Sequence, residues 1–337
     1  MIRKPSTIKL SLEEIYNLAN KTLLVNGCDK KNANAVAKTV YTAERDGSVS
    51  HGLFRIPGYV ASLKSKKVNG KSTPKTIKLS RNIISVDSKK GFAPLSINIG
   101  IPKLVEVANK YGVGILAIKN TYHFAALWPE TEALAEKNLV GIACTSTNPF
   151  VAPAGATKSL FGTNPISFAW PRPGKKPVVF DMATSTKAMG EVGVAARDGH
   201  KVPLGTGLNK KGKLTNNPSE IVNGGVLLPF GGYKGSAISM MIELLSAGLI
   251  GDNFSFEAKE KDNRDGGPTG GGEFILAMSP KIISSKNWKN HSEKFFKKMT
   301  SLKGVKLPGQ RRYKNRLSTK LRTVNKELFL KIQKLAI

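Results

Sequence analysis

Val113-Gly-Ile-Leu-Ala-Ile118 is the stretch whose reading decides the fold, because a short, apolar, β-branched run directly after Gly112 marks the change from helix to sheet. Four runs of the same character follow it: Leu139–Cys144, Ile166–Trp170, Val178–Phe180 and Phe274–Met278. Gly, Pro and Asn bound them, so they read as strands. The helical patterns between them are one near Phe124 to Lys137 and a long apolar one from Lys234 to Ile250. Regular strand-helix alternation is missing, which argues against a doubly wound sheet. The fold expected is α/β mixed: a mixed, largely antiparallel sheet, about residues 113 to 280, inserted between N- and C-terminal helical segments that pack together.

Upstream, Ser11-Leu-Glu-Glu14 forms a capping box, and helical spacing follows it to about Val25. A second helix is expected from Asn32 to Arg45. A third starts near Gly52 and runs through Tyr59 and Leu63 to the turn Lys66-Lys-Val-Asn-Gly70. Ile83 to Val86 reads as a short strand, and a helix through Leu104 to Tyr111 stops at Gly112. Downstream, Glu257 to Gly272 reads as an exposed loop. Helix returns from Ser285, and Lys306-Leu-Pro-Gly-Gln-Arg-Arg312 reads as a turn between two basic helices.

Composition excludes several classes. The chain has 337 residues and 40% hydrophobic content, enough for substantial cores. Its two cysteines, Cys28 and Cys144, support neither a disulfide framework nor a zinc site, so no metal is expected. The N-terminus lacks an apolar signal segment, and the stretch from Ile238 to Ile250 is short and carries Glu243. The expectation is a cytoplasmic protein with no membrane contact. The formal net charge of +30 raises nucleic acid as a partner, but lysines are spread through every segment, without interleaved aromatics. That distribution reads as solvated surface, with polyanion affinity that salt abolishes.

The chemistry concentrates in Ser48-Val-Ser-His-Gly-Leu-Phe-Arg-Ile-Pro-Gly-Tyr59. A lone histidine is more often a structural hydrogen-bonder; His51 becomes a proton-transfer candidate because Ser50 adjoins it and Arg55 follows within a turn. Arg55 can hold a carboxylate through two parallel bonds, or serve an ordinary surface ion pair with Glu44. Neither a Gly-x-Gly-x-x-Gly after a strand nor a Walker loop occurs. Gly231-Gly-Tyr-Lys-Gly-Ser236 opens the long apolar helix and offers backbone N–H groups and Lys234 to a phosphate, or is simply a glycine turn. His123, Gly162-Thr-Asn-Pro-Ile166 and Asp181-Met-Ala-Thr-Ser185 sit at strand ends, where ligand contacts are common.

Taken in order, Ser50-His51-Gly52 with Arg55, His123, Gly162-Thr-Asn-Pro165, Asp181-Met-Ala-Thr-Ser185 and Gly232-Tyr-Lys-Gly235 resemble the malate/L-lactate dehydrogenase family, whose fold is not the Rossmann one. The likeness runs from about Leu12 to Arg316. Ala43-Glu-Arg-Asp-Gly-Ser48 with the Ser-His-Gly stretch, His123-Phe-Ala-Ala-Leu-Trp-Pro-Glu130 and Leu228-Pro-Phe-Gly-Gly232 are similar to the delta-1-piperideine-2-carboxylate/delta-1-pyrroline-2-carboxylate reductases. That resemblance implies a homodimeric, NADPH-dependent reductase that turns a small cyclic imino acid into L-pipecolate or L-proline. It implies that His51 gives the proton, supported by Ser50 and by a carboxylate at Glu191, and that Arg55, Thr163, Met189 and Gly190 meet the substrate. NADPH would lie along His123, Phe124, Ala125, Ala126 and Leu127, along Asp181, Met182 and Ala183, beside Tyr233 and Lys234, and at Lys306, Leu307, Pro308, Gly309, Gln310, Arg311 and Arg312. Residues 1–112 with 281–337 then form a helical substrate and dimerisation domain, and 113–280 the cofactor-binding sheet domain.

One position departs from the subgroup pattern, which has Asp where this chain has Glu191. A carboxylate there is expected to raise the His51 pKa by favouring the imidazolium. The wider family leaves a second substrate class open, an open-chain 2-oxo acid such as pyruvate or oxaloacetate.

Overall fold

The computed structural model describes residues 6–123, 125–284, 287–318 and 321–337. Its centre is a seven-stranded sheet. In spatial order the strands are Lys75–Lys78, Ile83–Phe92, Val113–Tyr122, Gly270–Met278, Val140–Thr145, Ile166–Trp170 and Val178–Met182. Ile83–Phe92 and Val113–Tyr122 run parallel, joined by the helix Ala93–Tyr111; every other neighbouring pair is antiparallel. The sheet is therefore mixed and largely antiparallel.

Period-two alternation gives the sheet two apolar faces. Leu116, Ile118, Ala143, Ile275 and Ala277 pack with Leu104 and Ala108 of the helix Ala93–Tyr111 and Leu134 of the helix Trp128–Glu136. On the other face Ile115, Cys144, Ile166 and Phe274 meet Ile238 and Ile242 of the helix Tyr233–Glu243.

A second core joins the two ends of the chain. The strand Thr7–Ser11 pairs antiparallel with Leu321–Asn325. Helices Leu12–Val25, Lys30–Arg45, Ile56–Lys64 and Lys326–Leu335 enclose Ile15, Leu23, Val36, Tyr59, Val324 and Ile332. The capping box forms: Ser11 Oγ accepts from the Glu14 N–H, and Glu14 accepts from the Ser11 N–H.

Several boundaries differ from those read in the sequence. The sheet begins at Lys75, well before residue 113, because Lys75–Lys78 pairs antiparallel with Ile83–Phe92, and that second strand itself continues through Ser88-Lys-Lys90 with Lys89 and Lys90 at positive φ and a register shift. Polar residues hid that extension. Asp29 caps the second helix, which starts at Lys30. The third helix starts at Ile56, and two short 3-10 turns, Val49–His51 and Leu53–Arg55, occupy the stretch before it. The span from Glu257 to Gly272 is not all loop, since a helix covers Ser255–Glu260 and the central strand begins at Gly270. The long apolar helix ends at Glu243 and passes into a π-turn, Leu244–Gly248.

Candidate active site

The strand pairings bring the polar tips to one edge of the sheet. Val113–Tyr122 ends there just before His123, and Gly270–Met278 begins there. Val140–Thr145 runs out there toward Thr147, Ile166–Trp170 starts there after Thr163-Asn-Pro165, and Val178–Met182 finishes there with Asp181 and Met182. The segment Ser48–Arg55 closes over this edge. Between them lies a cleft of about 650 Å³, in the size range of cofactor and substrate sites. A larger hollow of about 790 Å³, walled by residues such as Tyr16 and Tyr41, holds none of the residues singled out above, so chemistry rather than size selects the cleft.

Ser50, His51 and Arg55 all line it. Glu44 holds their turn: its Oε1 accepts the Leu53 N–H at 2.8 Å, and a Cβ at position 52 would fall 2.0 Å from that oxygen, so the position requires glycine. Glu44 therefore serves the turn and makes no surface pair with Arg55; burial pushes its carboxyl up to about 7. His51 Nδ1 faces Ser50 Oγ at 3.1 Å and Ser48 Oγ at 3.5 Å. Burial, with the Arg55 charge and then that of His123 adding to it, pushes the ring down to about 3. This corrects the expectation of an imidazole made cationic by Glu191. Glu191 stands exposed on the first turn of the helix Met189–Asp198, at the cleft wall, and its carboxylate makes no hydrogen bond or ion pair with the described residues.

Met189, Gly190 and Thr163 also line the cleft. A Cβ on Gly190 would sit 2.6 Å from Arg55 Nη2 and 3.3 Å from Ser50 Cβ, so only glycine lets this helix start press against the guanidinium. Burial lowers Arg55 to about 10, which still leaves it charged at neutral pH. Thr163 donates its N–H to Thr147 Oγ1 at 3.0 Å.

The residues assigned to the cofactor fall into two groups. Lining the cleft are His123, Ala125, Ala126, Asp181, Met182, Ala183, Arg311 and Arg312. Asp181 also caps a helix: its Oδ2 accepts the N–H groups of Leu127 and Trp128 at 2.8 and 3.0 Å. Arg312 donates to the Val179 carbonyl at 2.6 Å and lies 5.2 Å from the centre of the Trp128 ring. Away from the cleft wall are Leu127 and Leu307, both buried in cores, Pro308, whose carbonyl accepts from the Val179 N–H, and Gly309 beside it. Lys306 and Gln310 are exposed. Tyr233 and Lys234 are exposed at the start of their helix, which adjoins the Asp181–Ala183 tip through the Phe230 N–H to Thr184 carbonyl bond. Phe124 lies outside the described residues.

Sequence reasoning missed other parts of the wall, among them Thr147, Lys187, Asp262, Arg264 and Thr269. The last three belong to the segment read as an exposed loop. Lys67 fixes it from the helical side, with Nζ 2.9 Å from Asp262 and 2.6 Å from Asp265. The Asp-Asn-Arg-Asp pattern at 262–265 was the available signal.

A sequence profile of the family described as malate/L-lactate dehydrogenase matches residues 10–329. The Delta(1)-pyrroline-2-carboxylate reductase of Ancylobacter novellus is 41% identical over 312 residues, 92% of this chain and 91% of that protein. A (2R)-3-sulfolactate dehydrogenase (NADP(+)) of Chromohalobacter salexigens is 35% identical over 304 residues, 90% of each chain. The crystal structure of delta1-piperideine-2-carboxylate reductase from Pseudomonas syringae pvar. tomato superposes with a TM-score of 0.91 at 39% identity, covering 98% of this chain and 100% of that one.

Proposed function

The chain belongs to the malate/L-lactate dehydrogenase family, and on that footing we propose that it reduces delta-1-piperideine-2-carboxylate or delta-1-pyrroline-2-carboxylate to L-pipecolate or L-proline with NADPH. The observation that carries this reading is the placement of Arg55 and His51 in one cleft at the strand-end edge. A guanidinium fork fixes a planar acid by its carboxylate, and an imidazole on the next turn reaches the ring nitrogen.

The residues at the edge fit a nicotinamide dinucleotide. Ala125 and Ala126 give an apolar shelf, the Asp181–Ala183 tip gives main-chain groups, and Arg311 and Arg312 suit a phosphate. The bound nicotinamide supplies the hydride. Around it Arg55 holds the substrate carboxylate, Gly190 and Met189 bound the ring, and Thr163 and Thr147 offer hydroxyls. His51 gives its proton to the imine nitrogen, with Ser50 orienting Nδ1. A substrate carboxylate on Arg55 also offsets that cation's repulsion of His51, so substrate binding raises the proton affinity of the ring that must act. Preference for NADPH over NADH, a homodimer and a cytoplasmic location complete the proposal. Among the described residues no helix is long and apolar enough to cross a membrane.

The sulfolactate relative makes an open-chain 2-oxo acid the second substrate class. NADPH consumption measured side by side with the two cyclic imines, pyruvate and oxaloacetate separates the classes. Turnover of an imine well above both oxo acids supports the proposal, and turnover of an oxo acid alone overturns it.

A further inference from the structure

At the cleft wall and behind it lie three side chains, His123 of the wall and two buried glutamates, whose polar atoms the reaction described above does not use. His123 follows the strand Val113–Tyr122, Glu130 lies on the first turn of the helix Trp128–Glu136, and Glu273 sits in the central strand at its register shift. Their side chains are 6%, 5% and 0% exposed, with His123 Nε2 3.7 Å from Glu273 Oε2 and 4.0 Å from Glu130 Oε1. Nε2, Glu130 Oε2 and both Glu273 oxygens have no hydrogen-bond partner among the described residues. Buried polar atoms in that condition call for a proton, a water or an ion.

The three ligand-type atoms fall within 4.8 Å of one another, a span that a divalent ion could bridge. The tautomer argues for protons instead. The Ala125 N–H donates to His123 Nδ1 at 3.3 Å, so Nδ1 keeps its lone pair and the ring proton sits on Nε2, aimed at the carboxyls. A protonated Nε2 donates and does not ligate. Two carboxyls this close do not both ionise. Burial raises both; Glu273 adds to the rise of Glu130, as does Asp181 from the strand Val178–Met182. Cys144, on the neighbouring strand Val140–Thr145 and paired with Phe274, has its thiol pushed up to about 12 by burial, with the Glu273 charge adding to it. On the cleft side His51 feels the charges of Arg55 and His123, and all three line the cleft.

The other buried carboxylates near the cleft are already matched. Asp46 is held by Arg316 and Arg45, and Asp181 by two backbone N–H groups. Glu191 is exposed. We propose that Glu130 and Glu273 are positioning residues for proton transfer: as pH rises the pair gives up its first proton, and the negative charge left behind His123 raises the proton affinity of the His51 ring in the substrate complex. The identity of the reaction rests on the reductase reading; the shared proton does not. In the step itself a hydride goes to the imine carbon, the His51 proton goes to the imine nitrogen, and His51 recovers a proton from solvent.

The test follows the His51 ring carbon-bound proton by NMR across pH in the complex with NADP+ and pyrrole-2-carboxylate, a planar acid without a reducible C=N. The E130Q/E273Q double variant is expected to lower the His51 pKa by about one unit, a tenfold loss of proton affinity, and to move the alkaline limb of kcat by the same amount. E273Q alone is expected to keep the support, since Glu130 without its neighbour ionises more easily. E191Q should leave the titration in place. A double variant that titrates like wild type, or a shift in E191Q alone, overturns the proposal; so does stoichiometric metal in the purified protein that the double variant lacks. In the protein alone, infrared spectra should show a protonated-carboxyl band at neutral pH that fades on alkaline titration and is missing from the double variant. Absence of that band refutes the shared proton, whereas a band with no turnover of either imine refutes only the reductase reading.

Discussion

At the scale of single residues the site depends on close approaches. Gly190 meets Arg55 with no room for a methyl group, so Gly190→Ala must displace either the guanidinium or the helix start. Overpacking of this kind costs about 1–3 kcal/mol. If the displaced group is the carboxylate clamp, KM for the imino acid should rise about tenfold or more, while the NADPH Kd stays unchanged. An unchanged KM would show that Arg55 does not hold the substrate. Much of this scale was legible in the sequence, since Ser50, His51, Arg55, Thr163 and Gly190 do come to one cleft. The charge state of His51 was not, because it depends on burial and on Arg55 and His123, contacts that spacing does not reveal. Glu130 and Glu273 were hidden for the same reason: each is an ordinary glutamate until the sheet brings them together.

At the scale of elements, the cleft rim hangs on Asp46 at the end of the helix Lys30–Arg45. Its fully buried carboxylate accepts from Arg316 Nε and Nη2 at 2.8 and 2.6 Å, from Arg45 Nε at 2.7 Å and from Trp128 Nε1 at 3.0 Å. Arg316 also reaches Glu132 at 2.7 Å, so one ion network ties three helices together. Removing one partner of such a network costs about 3–5 kcal/mol, because the cations it leaves are partly buried. Asp46→Ala should lower Tm accordingly, and a Tm equal to wild type would show the network to be dispensable. These cations hold the Asp46 pKa below the usual range, so its contribution is present above about pH 4 and is lost as pH falls through the lower folded value. The strand Leu321–Asn325 is a further lesson at this scale. Its inward positions are Arg322 and Val324; Arg322 is satisfied by the carbonyls of Glu44 and Arg45, and an inward arginine breaks the apolar alternation by which strands are recognised.

For the whole molecule, buried titratable groups shape the pH dependence of stability. The raised carboxyls, with Glu44 near 7 and Glu273 near 8, hold protons in the folded state that the unfolded chain has released. Their contribution is full below about pH 4.3, the unfolded value, and is lost as pH rises through the folded values. His51 and His123, pushed down to about 3 and about 4, act the other way: their contribution is present above about pH 6.5 and is lost as pH falls through the folded values. Glu44→Gln, which keeps an acceptor for the Leu53 N–H, should flatten the decline of Tm between about pH 5 and 8. A decline as steep as in wild type would mean that Glu44 is ionised in the folded protein.

The sheet class was legible because the five apolar runs all become strands of one sheet, but only the antiparallel pairing of Ile166–Trp170 with Val178–Met182 follows from a connection too short for a crossover; Gly270–Met278 enters between Val113–Tyr122 and Val140–Thr145 from far along the chain, which spacing does not reveal. The claim that matters most is that the strand-end edge of this sheet, closed by the Ser-His-Gly turn, is where an imine is protonated and reduced. Its most direct test is single-turnover NADPH oxidation by delta-1-piperideine-2-carboxylate in wild type and His51→Ala, with equal cofactor binding checked in both. The rate is expected to fall about a hundredfold or more in the variant; equal rates would contradict the account.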